Sequence, residues 1–171
     1  VKGFSVYGWA EAGIQVDEDN IKVEGNYIGL KADGVTTFPN INGINILDPV
    51  INCTIGGSTD EQRNIISGNS SSQIEYNSLG TGNKITGNYI GTDHEGEALT
   101  IAGFVLVNGI FISSGENLLI GGDDGSLRNV ISGNSDGIEI TGAASLNTVQ
   151  GNYIGLNNDG TSSVANKNRG I

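Results

Sequence analysis

The single histidine of this 171-residue chain stands in Thr92-Asp93-His94-Glu95-Gly96, where a base flanked by two carboxylates has the residue types for general acid–base chemistry. No serine or cysteine nucleophile motif accompanies His94, so a loop histidine is the plainer reading. Asp123-Asp124 is a pair of the kind that glycoside hydrolysis uses. Successive strand residues face opposite ways, however, and the pair reads better as a solvated turn. The same acids, with Asp17-Glu18-Asp19, offer hard oxygen ligands, which makes Asp17, Asp19, Asp123 and Asp124 the candidate calcium ligands. The chain has neither the Gly-Gly-x-Gly-x-Asp nonapeptide nor an EF-hand loop, and no other cofactor is implied. Tyr27, Tyr89 and Tyr153 recur in identical surroundings, and with His94 they are the candidate ligand-binding residues. An aromatic face buries apolar area against a sugar ring while offering a hydroxyl; the competing reading packs each ring at a corner of the fold.

The elements that position these residues are written repeatedly. Gly-Asn-Tyr-Ile-Gly occurs at 25–29, 87–91 and 151–155, in steps of 62 and 64 residues. Arg63-Asn64-Ile65-Ile66-Ser67-Gly68-Asn69 returns as Arg128-Asn129-Val130-Ile131-Ser132-Gly133-Asn134. A half-period is marked by Gly-Ile-x-Ile and its variants at 13–16, 43–46, 73–76, 109–112 and 137–140. Each circuit then holds three short β-type segments punctuated by Gly, Asn and Asp, and two kinds of circuit alternate. The period-2 pattern suits strands, and no window carries a helical apolar stripe. Stacking the circuits predicts an all-β parallel β-helix of about five coils with three short parallel sheets and alternate Ile and Val inside. Asn69 and Asn134 are candidates for amide ladders between circuits. Cys53 is aligned with Lys22, Lys84, Leu118 and Thr148, mostly polar equivalents that suggest an outward position, with a small packed thiol as the default.

These phrases resemble the right-handed parallel β-helix repeats of the pectate-lyase-like superfamily, especially Gly/Asn-rich bacterial extracellular repeat proteins, over nearly the whole chain. The resemblance implies the fold and leaves function open, because that superfamily spans lyases, hydrolases, tailspikes and adhesins. The Gly-His-Gly and Arg-Ile-Lys phrases of the β-helical galacturonases are missing. Basic residues follow the repeat, as Lys22 with Lys84 and Arg63 with Arg128, instead of gathering as a lyase site requires.

Composition narrows the classes further. Nineteen acidic against eight basic residues give a net charge of −11, with no basic stripe, so nucleic acid is not an expected partner. No apolar run reaches the roughly 20 residues that cross a bilayer, so membrane insertion is not expected. The chain reads as one domain, 1–171. The absence of Met and the closing Arg169-Gly170-Ile171, which matches the opening of a further repeat, suggest a segment of a longer repeat protein. The expectation is an extracellular or cell-surface stalk or adhesive segment without enzymatic activity, with polysaccharide as the partner bound through the polar loops after Gly-Asn-Tyr-Ile-Gly. The alternatives are a fragment of a polysaccharide-active enzyme and a subunit that self-associates end to end through unpaired strand edges.

Overall fold

The computed structural model describes residues 1–47, 49–99 and 107–171. The first circuit is β1 (Ser5–Val6), β2 (Ala12–Val16) and β3 (Lys22–Val23); the second is β4 (Tyr27–Ile28), β5 (Asn42–Ile46) and β6 (Thr54–Gly56). The third is β7 (Ile65–Ile66), β8 (Ser72–Tyr76) and β9 (Lys84–Thr86), and the fourth is β10 (Tyr89–Ile90), β11 (Asn108–Ile112) and β12 (Leu119–Gly121). The fifth is β13 (Val130–Ile131), β14 (Ile138–Ile140) and β15 (Thr148–Gln150), and β16 (Tyr153–Ile154) opens a sixth. Every third strand pairs in parallel with the one a circuit away. The result is a first sheet β1-β4-β7-β10-β13-β16, a second β2-β5-β8-β11-β14 and a third β3-β6-β9-β12-β15. This is a parallel β-helix.

Alternation along each strand sends one residue inward and its neighbour out. In the second sheet Ile14, Ile44, Ile74, Ile110 and Ile138 are cross-strand partners and stack as one buried column. Val23, Ile55, Ile85 and Ile120 do the same in the third, and Ile28, Ile66, Ile90 and Ile131 in the first. Each such side chain contributes about 1.5–3 kcal/mol of burial, so the rod is held by repetition of one small gain.

The two kinds of circuit differ at their corners. From the third sheet to the first, Val23 to Ile28 takes five residues, whereas the equivalent step Ile55 to Ile66 takes eleven and holds a 3-10 turn at Asp60–Gln62. The pattern repeats with Ile85 to Ile90 and with Ile120 to Ile131, which holds the turn at Gly125–Leu127. Inside this corner runs an unbroken ladder of asparagines. The Asn26 amide donates to Asn64 Oδ1 at 2.9 Å, Asn64 to Asn88 at 2.9 Å, Asn88 to Asn129 at 3.1 Å and Asn129 to Asn152 at 2.9 Å. Each Asn also takes up main-chain groups that the sheets leave free at the bend, as when Asn88 Nδ2 donates to the Ile55 and Thr86 carbonyls. Gly87, before Asn88, has φ +67° and its absent Cβ would lie 2.1 Å from the Gly57 carbonyl oxygen, so only glycine lets adjacent circuits close here.

At the corner from the first sheet to the second, Asn40 donates to Asn69 Oδ1 at 2.9 Å and Asn134 to Asn166 at 3.4 Å. Asn69 is on a ladder as expected, but its own amide turns to Gln73 Oε1 at 2.7 Å.

The alignment made from the sequence is wrong by a residue at two places. The ladder pairs Thr54, not Cys53, and Leu119, not Leu118, into the row of Lys22, Lys84 and Thr148. A shift of one position reverses the face, and Cys53 is buried, its thiol donating to the Glu18 carbonyl at 3.2 Å. Among the described residues no helix is long and apolar enough to cross a membrane.

Candidate functional site

The polar loops that follow Tyr-Ile-Gly, the expected polysaccharide-binding segments, close as hairpins bridged at Leu30–Thr37, Thr92–Ala98 and Leu156–Ser163, and fold back over the outer face of the first sheet. Leu30, Ile65, Tyr89 and Val130 form a second apolar cluster there, with Tyr27, Leu99 and Tyr153 packed against it. Asx turns stiffen the hairpins. Asp33 accepts from Val35 N, Thr36 N and Thr36 Oγ1, and these bonds, the hydroxyl's foremost, hold its carboxyl down to about 2. The Asp93 carboxylate receives Glu95 N and Glu97 N, both at 2.9 Å.

Successive hairpins stack. His94 N donates to the Gly34 carbonyl at 3.1 Å, and a Cβ at Gly34 would lie 2.7 Å from His94 Cβ. Glycine at 34 therefore seats the histidine over the preceding hairpin, two circuits back. That seat places His94 on the rim of a groove of about 230 Å³, with Tyr27, Asp60, Glu61, Arg63, Ile65 and Gly25 as its other walls. The groove unites two residues singled out from the sequence as ligand-binding, Tyr27 and His94, with three charged residues that were not, Asp60, Glu61 and Arg63.

The acidic wall comes from the 3-10 turn. Gly25 N donates to the Gln62 carbonyl at 3.1 Å and a Cβ at Gly25 would stand 2.5 Å from the Glu61 oxygen, so the turn lies directly on the glycine. Asp60 pairs with Arg63 at 2.6 Å. The backbone N–H of Glu61 and then the Thr59 hydroxyl keep the Glu61 carboxyl below its ordinary range. The guanidinium of Arg63 extends over the Tyr89 ring, 4.3 Å from its centroid, and its buried Nε has no hydrogen-bond partner among the described residues.

The three tyrosines are thus unequal. Tyr89 is 8% exposed, roofed by Arg63, and Tyr153 has Arg128 at 4.0 Å over its ring. By strand register the position of Arg63 and Arg128 is filled, in the circuit before Tyr27, by Gly3. Tyr27, half-buried, carries no guanidinium among the described residues.

The acidic candidates are kept apart. Asp17 accepts from Gln15 Nε2 at 3.1 Å and Asp19 from Ile51 N at 2.9 Å, both before β3. Asp123 and Asp124 lie after β12, where Asp124 caps the 3-10 turn through Ser126 N at 2.8 Å, a bond that lowers its carboxyl pKa. Among the described residues no group of three or more His, Cys, Asp or Glu is placed to hold a metal ion. Asp60, Glu61 and Arg63 were missed as site residues, although a signal was present: Asp60-Glu61-Gln62 stands where the next copy reads Gly125-Ser126-Leu127.

No protein-family model, curated protein or solved structure matches this chain. The class that the sheet topology defines is the parallel β-helix.

Proposed function

We propose that this chain is a rigid, non-enzymatic adhesive segment of a secreted or cell-surface protein, in keeping with the bacterial extracellular repeats that its sequence resembles, and that it binds glycans in the Tyr27 groove. The observation carrying this reading is the juxtaposition of a tyrosine ring that has no cationic roof among the described residues with planar polar groups from Asp60, Glu61, Arg63 and His94. Concave sites with one apolar platform and a few fixed polar groups suit small ligands, and the ring face with surrounding acceptors and donors suits a sugar. The asparagine ladders supply the stiffness, because their amides are consumed in holding circuit to circuit.

A second reading, a fragment of a polysaccharide-active enzyme, draws on the same groove. Two carboxylates and a histidine lining one groove have the residue types for proton transfer. A screen of immobilised neutral glycans, with product analysis on every glycan bound, separates the two. Binding without cleavage, weakened about tenfold by Tyr27→Ala and untouched by Tyr153→Ala, is the expected result; release of new reducing ends would favour the enzyme.

A further inference from the structure

A second recess, of about 250 Å³, lies on the outer face of the third sheet. Its floor is a cross-strand row of Lys22, Thr54, Lys84 and Leu119. One side is raised by the long corners, through Gly57-Ser58, Gln62 and Leu127. The trough exists because a 3-10 turn is inserted at every second corner, so the wall is built by the alternation of circuits. Gly56, at φ +90°, adds no side chain to the floor.

Both lysines are exposed, and among the described residues neither ammonium has a carboxylate within 4.0 Å. The one acid on the rim, Glu24, is occupied by Lys2 at 3.7 Å and by Gln62 Nε2 at 3.3 Å. On a chain of net charge −11 this is a locally cationic strip. Lys22 and Lys84 stand two rungs apart, about 10 Å along the rod at the ordinary strand spacing.

The geometry points to this trough as a binding site for an anionic polysaccharide laid along the rod axis, its carboxylate or sulfate groups meeting Lys22 and Lys84. The site shares no lining residue with the Tyr27 groove, although the turn at Asp60–Gln62 borders both, and it differs from that groove in charge. A polysaccharide is favoured over an acidic peptide because β6 and β9 are paired on both sides. A peptide could add no strand there, whereas a hydroxyl-rich chain meets the Thr54 hydroxyl between the two ammonium groups.

The test uses dextran sulfate, carboxymethyl dextran, neutral dextran and poly-glutamate as probes against the whole chain carrying Tyr27→Ala, which disables the neutral-glycan groove. Lys22→Thr/Lys84→Thr is a mild variant, since the repeat itself places Thr54 and Thr148 in this row. Lys31→Thr/Lys167→Thr is the control with the same change in net charge. The expected result is that at least one charged dextran binds, that neutral dextran does not, and that the Lys22/Lys84 variant binds about tenfold more weakly while the control is unchanged. The better of the two charged dextrans identifies sulfate or carboxylate. No binding, equal binding of neutral dextran, equal losses in the two variants, or binding of poly-glutamate alone would each overturn the proposal. Because the probes of the Tyr27 groove are neutral glycans, failure of one site is distinguishable from failure of the other.

Discussion

The groove beside Tyr27 and its counterpart beside Tyr89 are built on the same backbone phrase, yet they present different chemistry. Around Tyr27 the walls are Asp60, Glu61 and His94; at the equivalent places around Tyr89 stand Gly125, Ser126 and Asn158. The Tyr89 ring is covered by an arginine from the preceding circuit, and the matching position before Tyr27 is glycine. The repeat therefore supplies the scaffold twice, and side-chain substitutions at a few outward positions decide which copy is open and charged. Outward residues of a β-helix can vary in this way because the ladders and inward columns, not the outer surface, carry most of the stability.

The largest effect should come from breaking what the two copies share. Asn88 is fully buried and bonded to Asn64 on one side and Asn129 on the other. Asn88→Ala strips several buried main-chain groups of partners and should cost about 3 kcal/mol, a fall of roughly 10 °C in melting temperature for a chain of this size. Thermal unfolding followed by circular dichroism is the check, with Asn152→Ala, at the last rung, as the milder comparison.

Next in size is the seat of His94. Gly34→Val forces a β-branched residue to φ +72° against the histidine, a strain of about 1–3 kcal/mol, and should abolish neutral-glycan binding. Gly160→Val imposes similar strain beneath Tyr153 and should leave that binding intact. Equal losses from both would erase the distinction between the copies.

Transplantation sharpens the comparison directly. Gly125→Asp, Ser126→Glu and Asn158→His place the acidic wall and the histidine beside Tyr89, and Arg63→Ala opens that ring at a cost of about 1 kcal/mol. Because Arg63 also lines the Tyr27 groove, the changes are made in a Tyr27→Ala background, where together they should create a weak glycan site, read as neutral-glycan binding regained. No regained binding in a folded variant would mean that the wall residues alone do not define the site.

The smallest effect is titration of the hairpin over β4. The Asp33 carboxyl is depressed in the folded chain to about 2 from an ordinary 3.8. The stabilisation that it lends is thus present above about pH 4 and is lost as pH falls toward 2. Carbon-detected NMR titration should show Asp33 as the low outlier, and Thr36→Val should return it toward the usual carboxylate range.

Much of the architecture was legible in the chain because a solenoid repeats its local chemistry. Gly-Ile-x-Ile, Asn-Ile-Ile-Ser-Gly-Asn and Gly-Asn-Tyr-Ile-Gly each mark one sheet or corner, and the strands they mark pair in the order of the repeat. Register was less secure. Cys53 was misplaced by one position because β6 is only three residues long and its Thr54 has no close chemical likeness to Lys22 or Lys84. Gln73, where other circuits have Gly13, Gly43, Gly109 and Gly137, was visible as an irregular residue but not as the acceptor that takes the Asn69 amide. The groove was half visible: Tyr27 and His94 could be named, but their meeting with Asp60, Glu61 and Arg63 could not.

By itself, the sequence determined the period, the inward columns of Ile and Val, and the corner residues, since each depends on chemistry repeated at short range along the chain. Only the tertiary structure decided which tyrosine is left uncovered, which lysines share a trough, and which loop reaches which groove. Those outcomes depend on contacts between circuits 24 to 60 residues apart, where the direction of a side chain is set by the stack beneath it rather than by its neighbours in sequence.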